Sequence, residues 1–166
     1  METISTKEPD LDKAGFRLLT LDNPVFCCYL FWTSILILKM LMMSILTAMQ
    51  RIGTKTFANP EDLKMRTTDE VKFNDPNVER VRRAHRNDME NILPLLIMTL
   101  IYIATGPNAT LARILFRIAA VSRIVHTLVY AFRPVPQPTR AITFFTTFFI
   151  TAYMAFYVSI RTITYI

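Results

Sequence analysis

Apolar runs alternate with short polar stretches along the chain, and three of these runs are long. Residues 25–50 carry a single charge, Lys39, and residues 141–160 carry none. Each run reaches the ~20 residues that a helix needs to cross a bilayer. Residues 111–132 form the third run. Its basic interruptions are Arg113, Arg117, Arg123 and His126. The pattern predicts an all-α protein whose helices cross a membrane.

A fourth segment joins a charged half to an apolar half. Residues 78–94 are dense in charge, whereas residues 95–104 are apolar apart from Thr99 and Tyr102. The apolar half alone is too short to cross a bilayer. A helix that begins near Asp75 is long enough, provided that neighbouring helices shield its charged face.

The four segments predict a single domain, 1–166, with the fold of an all-α integral membrane protein, a four-helix transmembrane bundle. The spans are expected at about 24–51, 76–105, 108–132 and 138–161, with a cytosolic loop over 52–75.

A proline marks the expected start of each helix. These prolines are Pro24, Pro76, Pro107 and Pro138. Each is placed where the first helical turn begins, a position at which the missing N–H costs nothing. The similar pattern at 59–62 (NPED) predicts a short helix within the first loop.

Composition and charge agree with a membrane protein. Hydrophobic residues make up 52% of the chain and only three glycines occur, which is typical of helices in a bilayer. Nine lysines and arginines lie between positions 51 and 86, so this loop is expected in the cytosol and both termini in the lumen. The net charge of +6 is then explained by a collar of basic residues on the cytosolic side of the membrane. No stacking aromatics accompany the arginines, so nucleic-acid binding is not expected.

No cleavable signal peptide is recognised at the start of the chain. The first apolar run is too long for the apolar region of a signal peptide and follows a stretch of mixed charge. We therefore expect the first span to act as an uncleaved anchor.

The charged half of the second predicted helix carries a candidate binding face. Arg83, Arg86, Asn87 and Glu90 follow the spacing i, i+3, i+4 and i+7, which places them on one side of a helix. The common alternative is a solvated helix whose arginines contact lipid headgroups. An acid with an amide beside it among the bases favours a site for a zwitterion. Pro94 lacks the N–H that would otherwise donate to the Glu90 carbonyl, which also favours a site on this face.

The third predicted helix presents a second polar face at the same depth. Arg123, His126 and Tyr130 are spaced i, i+3 and i+7. At ~1.5 Å per residue, Glu90 lies roughly 22 Å from the lumenal end of its helix, and His126 roughly 9 Å from the cytosolic end of its own. These depths coincide in a membrane core ~30 Å thick. Taken singly, His126 is explained as a core histidine and Tyr130 as an interfacial aromatic residue. Together with Arg123 they predict a polar cavity, because polar groups in a membrane are costly.

Three further residues of the first apolar run have open roles. Lys39 is interpreted as a buried charge that is paired or reaches the interface, since an unpaired lysine facing lipid costs at least ~2.5 kcal/mol. A ligand group is the alternative. Cys27 and Cys28 are adjacent, which fits neither a disulfide framework nor the spacing of metal ligands. We therefore expect no metal site and interpret both cysteines as small apolar side chains.

Four sequence motifs resemble the microsomal glutathione transferase and prostaglandin E synthase branch of the MAPEG family. They are 57–62 (FANPED), 78–90 (VERVRRAHRNDME), 123–130 (RIVHTLVY) and 136–141 (PQPTRA). The resemblance implies a homotrimer of four-helix subunits that holds glutathione between neighbouring subunits near the cytosolic face. The implied glutathione contacts are Arg51, Arg83, Arg86, Asn87, Glu90, His126, Tyr130 and Arg140. Arg51 is expected to reach across from the adjacent subunit.

The chemistry of glutathione fits these residue types. The tripeptide presents two carboxylates and an ammonium group, so arginine side chains can clamp the acids while Glu90 binds the amine. A cysteine-type thiol with a pKa of ~8.5 is only a few per cent ionised at neutral pH, and a fixed cation lowers that pKa. The resemblance implies Arg140 as the catalytic residue that stabilises the thiolate. A hydrophobic electrophile or lipid hydroperoxide is expected to arrive from the bilayer. The alternative role for Arg140 is a lipid-headgroup contact.

The first hypothesis for the activity is a detoxifying, membrane-bound glutathione transferase that also reduces lipid hydroperoxides. A glutathione-dependent prostaglandin E synthase is the alternative, because 86–90 (RNDME) resembles that branch. Ala141 and Phe144 favour the transferase, since the synthase branch tends to carry serine and tyrosine at these places. A non-catalytic lipid-binding scaffold is the third hypothesis, and the complete charged set argues against it. The expected location is the endoplasmic reticulum membrane or the mitochondrial outer membrane.

Overall fold

Four long helices dominate the computed structural model, which describes residues 17–63, 70–71 and 73–166. Helix α1 covers Pro24–Thr54, α2 covers Pro76–Ala104, α3 covers Ala109–Thr127 and α4 covers Thr139–Thr162. A π-helical turn, Leu128–Phe132, continues α3. The four helices confirm the predicted all-helical fold.

Short elements flank the helices. Single 3-10 turns occur at Arg17–Leu19, Pro60–Leu63 and Ile163–Tyr165. The second of these confirms the short helix predicted within the first loop. Two parallel strands of two residues each, β1 (Thr56–Phe57) and β2 (Glu70–Val71), close the same loop. Of the nine basic residues predicted to be cytosolic, Lys64, Arg66 and Lys72 lie outside the described residues.

Side-chain caps decide where the helices begin. Pro24 and Pro76 occupy the first turns of α1 and α2, as predicted. The predictions for Pro107 and Pro138 were wrong by one or two residues, because α3 begins at Ala109 and α4 at Thr139. At α3 the reason is Asn108, whose Oδ1 accepts from the N–H groups of Thr110 and Leu111 at 3.1 and 3.0 Å. Pro107 therefore precedes the cap and does not open the helix.

Helices α2 and α3 form the middle of the bundle. Helix α1 packs against both of them, and so does α4. Their shared core contains Leu36, Ile92, Tyr102, Phe116 and Met154, each at most 3% exposed. Because α2 and α3 touch both outer helices, polar residues on these two helices can point to either side of the bundle.

The outer helices leave much apolar surface uncovered. Only three residues of the 31 in α1 are buried, namely Val25, Leu36 and Met43. Large side chains such as Leu38, Leu41 and Ile45 are 57–61% exposed. Three helical segments, Pro24–Thr54, Ala109–Phe132 and Thr139–Tyr165, are long and apolar enough to cross a membrane. Helix α2 is not among them because its first half is charged, so its membrane span stays a prediction.

Candidate functional site

A buried ion cluster joins α1, α2 and α3. The Asp88 carboxylate accepts from Lys39 Nζ at 2.7 Å and from Arg123 Nη2 at 2.6 Å. Thr127 Oγ1 also donates to Asp88 Oδ2 at 3.0 Å, and Lys39 Nζ contacts Thr127 Oγ1 at 2.6 Å. The side chains of Asp88 and Arg123 are 0% exposed. The interpretation of Lys39 as a paired charge inside the bundle is confirmed, and Asp88 is its partner.

The predicted polar face of α3 divides into two groups. Arg123 was expected to share a cavity with His126 and Tyr130, and this expectation was wrong. Its guanidinium turns toward α2, where Nη2 reaches Asp88 and also the Asn87 side chain at 2.9 Å. Residues three apart on a helix still point 60° away from each other. A long arginine can therefore leave the face of its neighbours when a carboxylate lies beside it.

His126 and Tyr130 line an open cleft with Arg140. The rings of His126 and Tyr130 meet edge to face, with centroids 5.6 Å apart. Arg140 Cζ lies 4.9 Å from the centroid of the Tyr130 ring, a cation–π contact between the end of α3 and the start of α4. The cleft has a volume of about 380 Å³. Its remaining lining residues are Gln137, Ala141, Phe144 and Phe145.

Two nitrogen atoms at this cleft are buried without a hydrogen-bond partner among the residues that the structure describes. They are His126 Nδ1 and Arg140 Nε. Buried polar atoms are normally satisfied, so unpaired ones indicate a place for water or a ligand. None of the described residues that line the cleft is acidic. The arrangement can therefore hold an anionic group.

Tyr130 lies in the π-helical turn Leu128–Phe132, and this turn positions its ring at the cleft. At the end of the turn the N–H of the next residue, Arg133, donates to the Leu128 carbonyl five residues back, at 2.9 Å. Turns of this kind occur often at functional sites, because they change the direction of side chains at the end of a regular helix. The sequence pattern did not indicate the turn.

A second and larger cavity lies between α2 and α4. Its volume is about 890 Å³. The polar end is formed by Asn87, Glu90 and Asn91, and the rest is mostly apolar, including Pro94, Ile97, Met98, Phe148, Ala152 and Ala155. Phe144 lines this groove as well as the cleft of Arg140. The two cavities are therefore neighbours that share one aromatic side chain.

The arginines of the predicted α2 face lie elsewhere in the single chain. Arg86 lines a third cavity, of about 340 Å³, between α1 and α2. Arg83 is exposed, and Arg51 is half-buried in the last turn of α1. The structure thus brings together Asn87 with Glu90, and His126 with Tyr130 and Arg140. It does not bring Arg51, Arg83 and Arg86 to either group within one chain.

Sequence reasoning missed the roles of Asp88 and Thr127 in the ion cluster. It also missed that Phe144 lines both cavities. For Asp88 a signal existed in depth arithmetic. Lys39 is 15 residues from Pro24 and Asp88 is 16 residues from Ala104, so both lie roughly 22–24 Å from the same end of the bundle. A carboxylate at the depth of a buried lysine is the expected partner.

Comparisons with known proteins agree with these features. The family model of the MAPEG family matches residues 29–160. Microsomal glutathione S-transferase 1 of Mus musculus is 43% identical over 140 residues, which cover 82% of this chain and 90% of that protein. The Homo sapiens protein of the same name is 41% identical with the same coverage. Prostaglandin E synthase of Bos taurus is 37% identical, covering 79% of this chain and 84% of that protein.

The family match covers most of the chain and includes all the residues that line the two cavities. The relatives align over more than four-fifths of their own length. On this similarity, this chain belongs to the MAPEG family.

Proposed function

We propose that this protein is a membrane-bound glutathione transferase that joins the glutathione thiolate to hydrophobic electrophiles and also reduces lipid hydroperoxides. The observation that carries the proposal is the pair of cavities at Phe144. A cationic cleft with unpaired nitrogens adjoins a long apolar groove with a polar end. This pair suits a reaction between one polar, anionic molecule and one apolar molecule, held next to each other.

Glutathione occupies the polar parts of both cavities in this proposal. Glu90 binds the ammonium group, Asn87 lies one helical turn before it, and the arginines bind the carboxylates. Arg51, Arg83 and Arg86 do not reach this position within one chain. We therefore place glutathione between subunits of a homotrimer, with Arg51 supplied by a neighbour. The exposed apolar side chains of α1 give such an assembly a surface to cover.

Arg140 is the proposed catalytic residue. It is the second residue of α4, where the helix dipole adds positive potential to its guanidinium. Its contact with Tyr130 fixes the guanidinium at the cleft. A sulfur atom bound there ionises more readily, because the cation stabilises the thiolate relative to the thiol.

Location and orientation follow from the same proposal. We place the protein in the endoplasmic reticulum membrane or the mitochondrial outer membrane, with the loop after α1 in the cytosol and both termini in the lumen or intermembrane space. All four helices cross the membrane, including α2, whose charged side chains face the bundle and the neighbouring subunits.

The test uses purified full-length protein in detergent with glutathione and three second substrates. We expect conjugation of a chlorinated nitroaromatic and reduction of a fatty-acid hydroperoxide, and mass measurement is expected to give a trimer. Isomerisation of a prostaglandin endoperoxide without conjugation would favour the synthase. The greater identity to the transferases than to the synthases, and Phe144 in place of tyrosine, speak against this outcome. No reaction with any substrate would reject both enzymes and leave the lipid-binding scaffold.

A further inference from the structure

Asn87 is held by α3 at two places. Its side-chain Oδ1 accepts from Arg123 Nη2 at 2.9 Å, and its main-chain carbonyl accepts from the same nitrogen at 3.3 Å. Asn91 Nδ2 also donates to that carbonyl at 2.8 Å. The guanidinium itself is fixed by Asp88 and is 0% exposed. The contact at Oδ1 therefore sets which atom of the side-chain amide faces α3.

Hydrogen-bond chemistry then decides which atom of Asn87 faces the groove. An arginine carries donors only, so the amide atom that meets it must be the oxygen. Because Oδ1 is taken by Arg123, Nδ2 is the side-chain atom left to meet a ligand at the polar end of the groove between α2 and α4, which Asn87 lines. Asn87 therefore presents two N–H donors there, one helical turn from the acceptor oxygens of Glu90.

We infer that Arg123 is a positioning residue of the proposed glutathione site: it turns Asn87 so that Nδ2 binds the α-carboxylate of the γ-glutamyl group while Glu90 binds the neighbouring ammonium. The inference rests on the proposed function. Carboxylate and ammonium are attached to the same carbon of that group, and side chains three residues apart on a helix are ~5–6 Å apart. A donor and an acceptor at this separation match the pair.

A double-mutant cycle tests whether the effect of Arg123 on glutathione binding depends on Asn87. Calorimetry measures glutathione binding to the intact protein, Asn87→Ala, Arg123→Lys and the double variant. We expect each single change to weaken binding about tenfold, as the loss of one hydrogen bond to a charged group predicts. The double variant is expected to bind like Asn87→Ala, because Arg123 acts only through Asn87. Independent effects would multiply to about a hundredfold and would overturn the inference, as would unchanged binding by Arg123→Lys.

A matched control separates positioning from stability. Thr127→Val removes the hydroxyl group that donates to Asp88, but it leaves the contact between Arg123 and Asn87. We expect it to lower the melting temperature without changing the dissociation constant of glutathione. If Thr127→Val lost as much glutathione affinity as Arg123→Lys, general disturbance of the cluster would be enough to weaken binding. This result would contradict the inference.

If Arg123→Lys does not fold, two further measurements test whether the Asn87 amide binds the α-carboxylate of glutathione. Asn87→Asp keeps the acceptor for Arg123 but replaces the N–H donors, so it is expected to bind glutathione more weakly than Asn87→Ala. An analogue with 4-aminobutyrate in place of the γ-glutamyl group lacks the α-carboxylate, and Asn87→Ala is expected to bind it no worse than the parent protein does. Parent-like glutathione binding by Asn87→Asp would overturn the inference alone. A parent protein that binds no glutathione would overturn the proposed function first.

Discussion

Two polar regions lie side by side in the bundle, and they differ in how their charges are satisfied. In the ion cluster, Asp88 meets Lys39 and Arg123 within 2.7 Å, so both cations have a carboxylate of the chain as their counter-ion, although Arg123 Nε and Nη1 have no hydrogen-bond partner among the described residues. At the cleft, Arg140 and His126 each have a buried nitrogen without a partner in the described part of the chain, and no acidic side chain lines the described cleft.

The two regions differ in whether the counter-charge of a cation comes from the chain or is left to a ligand. Removing ions from water is costly unless they are paired, so a cluster that pairs its own ions can serve as a fixed part of the fold. A cation that the fold leaves unpaired at an open cavity can instead be neutralised by a ligand. In this bundle α3 serves both purposes, with Arg123 directed to the closed cluster and His126 to the open cleft.

Opening the closed cluster is expected to have the largest effect. Asp88→Ala leaves Lys39 and Arg123 buried without their carboxylate, and breaking a buried ion pair from one side costs about 3–5 kcal/mol. We expect the variant to unfold or aggregate at much lower temperature than the parent in detergent, measured by light scattering during heating. A melting temperature equal to that of the parent would contradict the structural role of the cluster.

Removing the cation of the open cleft is expected to affect chemistry more than stability. Arg140→Leu deletes the charge nearest the proposed sulfur position, so the pKa of the bound thiol returns toward ~8.5 and turnover at neutral pH falls about a hundredfold. Activity is expected to recover partly at alkaline pH, where the thiol ionises without help.

Thiolate absorbance in the ultraviolet on mixing protein with glutathione measures this effect directly. The melting temperature of Arg140→Leu serves as the control, and it is expected to stay near that of the parent. As much thiolate in Arg140→Leu as in the parent at neutral pH would show that another group activates the thiol.

A smaller effect is expected at the polar end of the groove. Glu90→Gln removes the negative charge proposed to bind the glutathione ammonium, and the loss of a charged hydrogen bond weakens binding by about 1.5–3 kcal/mol. Calorimetry measures the change. Unchanged affinity would remove Glu90 from the site.

The smallest effect is expected at an exposed ion pair on the same helix. Glu79 and Arg82 form a contact of 2.5 Å one turn apart, with side chains 25% and 45% exposed. Glu79→Gln is expected to change stability by less than about 1 kcal/mol and to leave glutathione affinity unaltered, because exposed pairs contribute little. It is the matched control for Glu90→Gln and Asp88→Ala, and a large effect would show that exposure does not separate the two kinds of pair.

The sequence predicted features that depend on one helix at a time. Apolar run lengths predicted three helices, and a charged segment that continues into a short apolar run predicted the fourth. The Asn-Pro and Asp-Pro pairs at Pro24 and Pro76 marked two starts correctly. The pairing of Lys39 followed from the cost of a charge in a membrane. Each of these predictions needs only local chain chemistry and the properties of the solvent.

Features that depend on two helices were harder to predict. A helical wheel places Arg123 near His126, but only the position of α2 shows that Asp88 draws the guanidinium away. The wheel also groups Arg86 with Glu90, whereas α1 and α4 lie on opposite sides of α2 and divide that face. Where a long side chain ends is decided by its partner, and the identity of the partner depends on packing.

The π-helical turn after α3 has a consequence for changes in chain length. Its wider hydrogen bond, from Arg133 to Leu128, holds one residue more than a regular helix uses for the same turn. Deleting Val129 can therefore be absorbed by returning the turn to α-helical spacing, so that the residues before Leu128 and after Phe132 keep their directions. Deleting Val121 offers no such surplus and rotates everything that follows by 100°. We expect insertions and deletions among relatives to be tolerated in α3 mainly at this turn, where they change the direction of Tyr130 and leave the ion cluster in place.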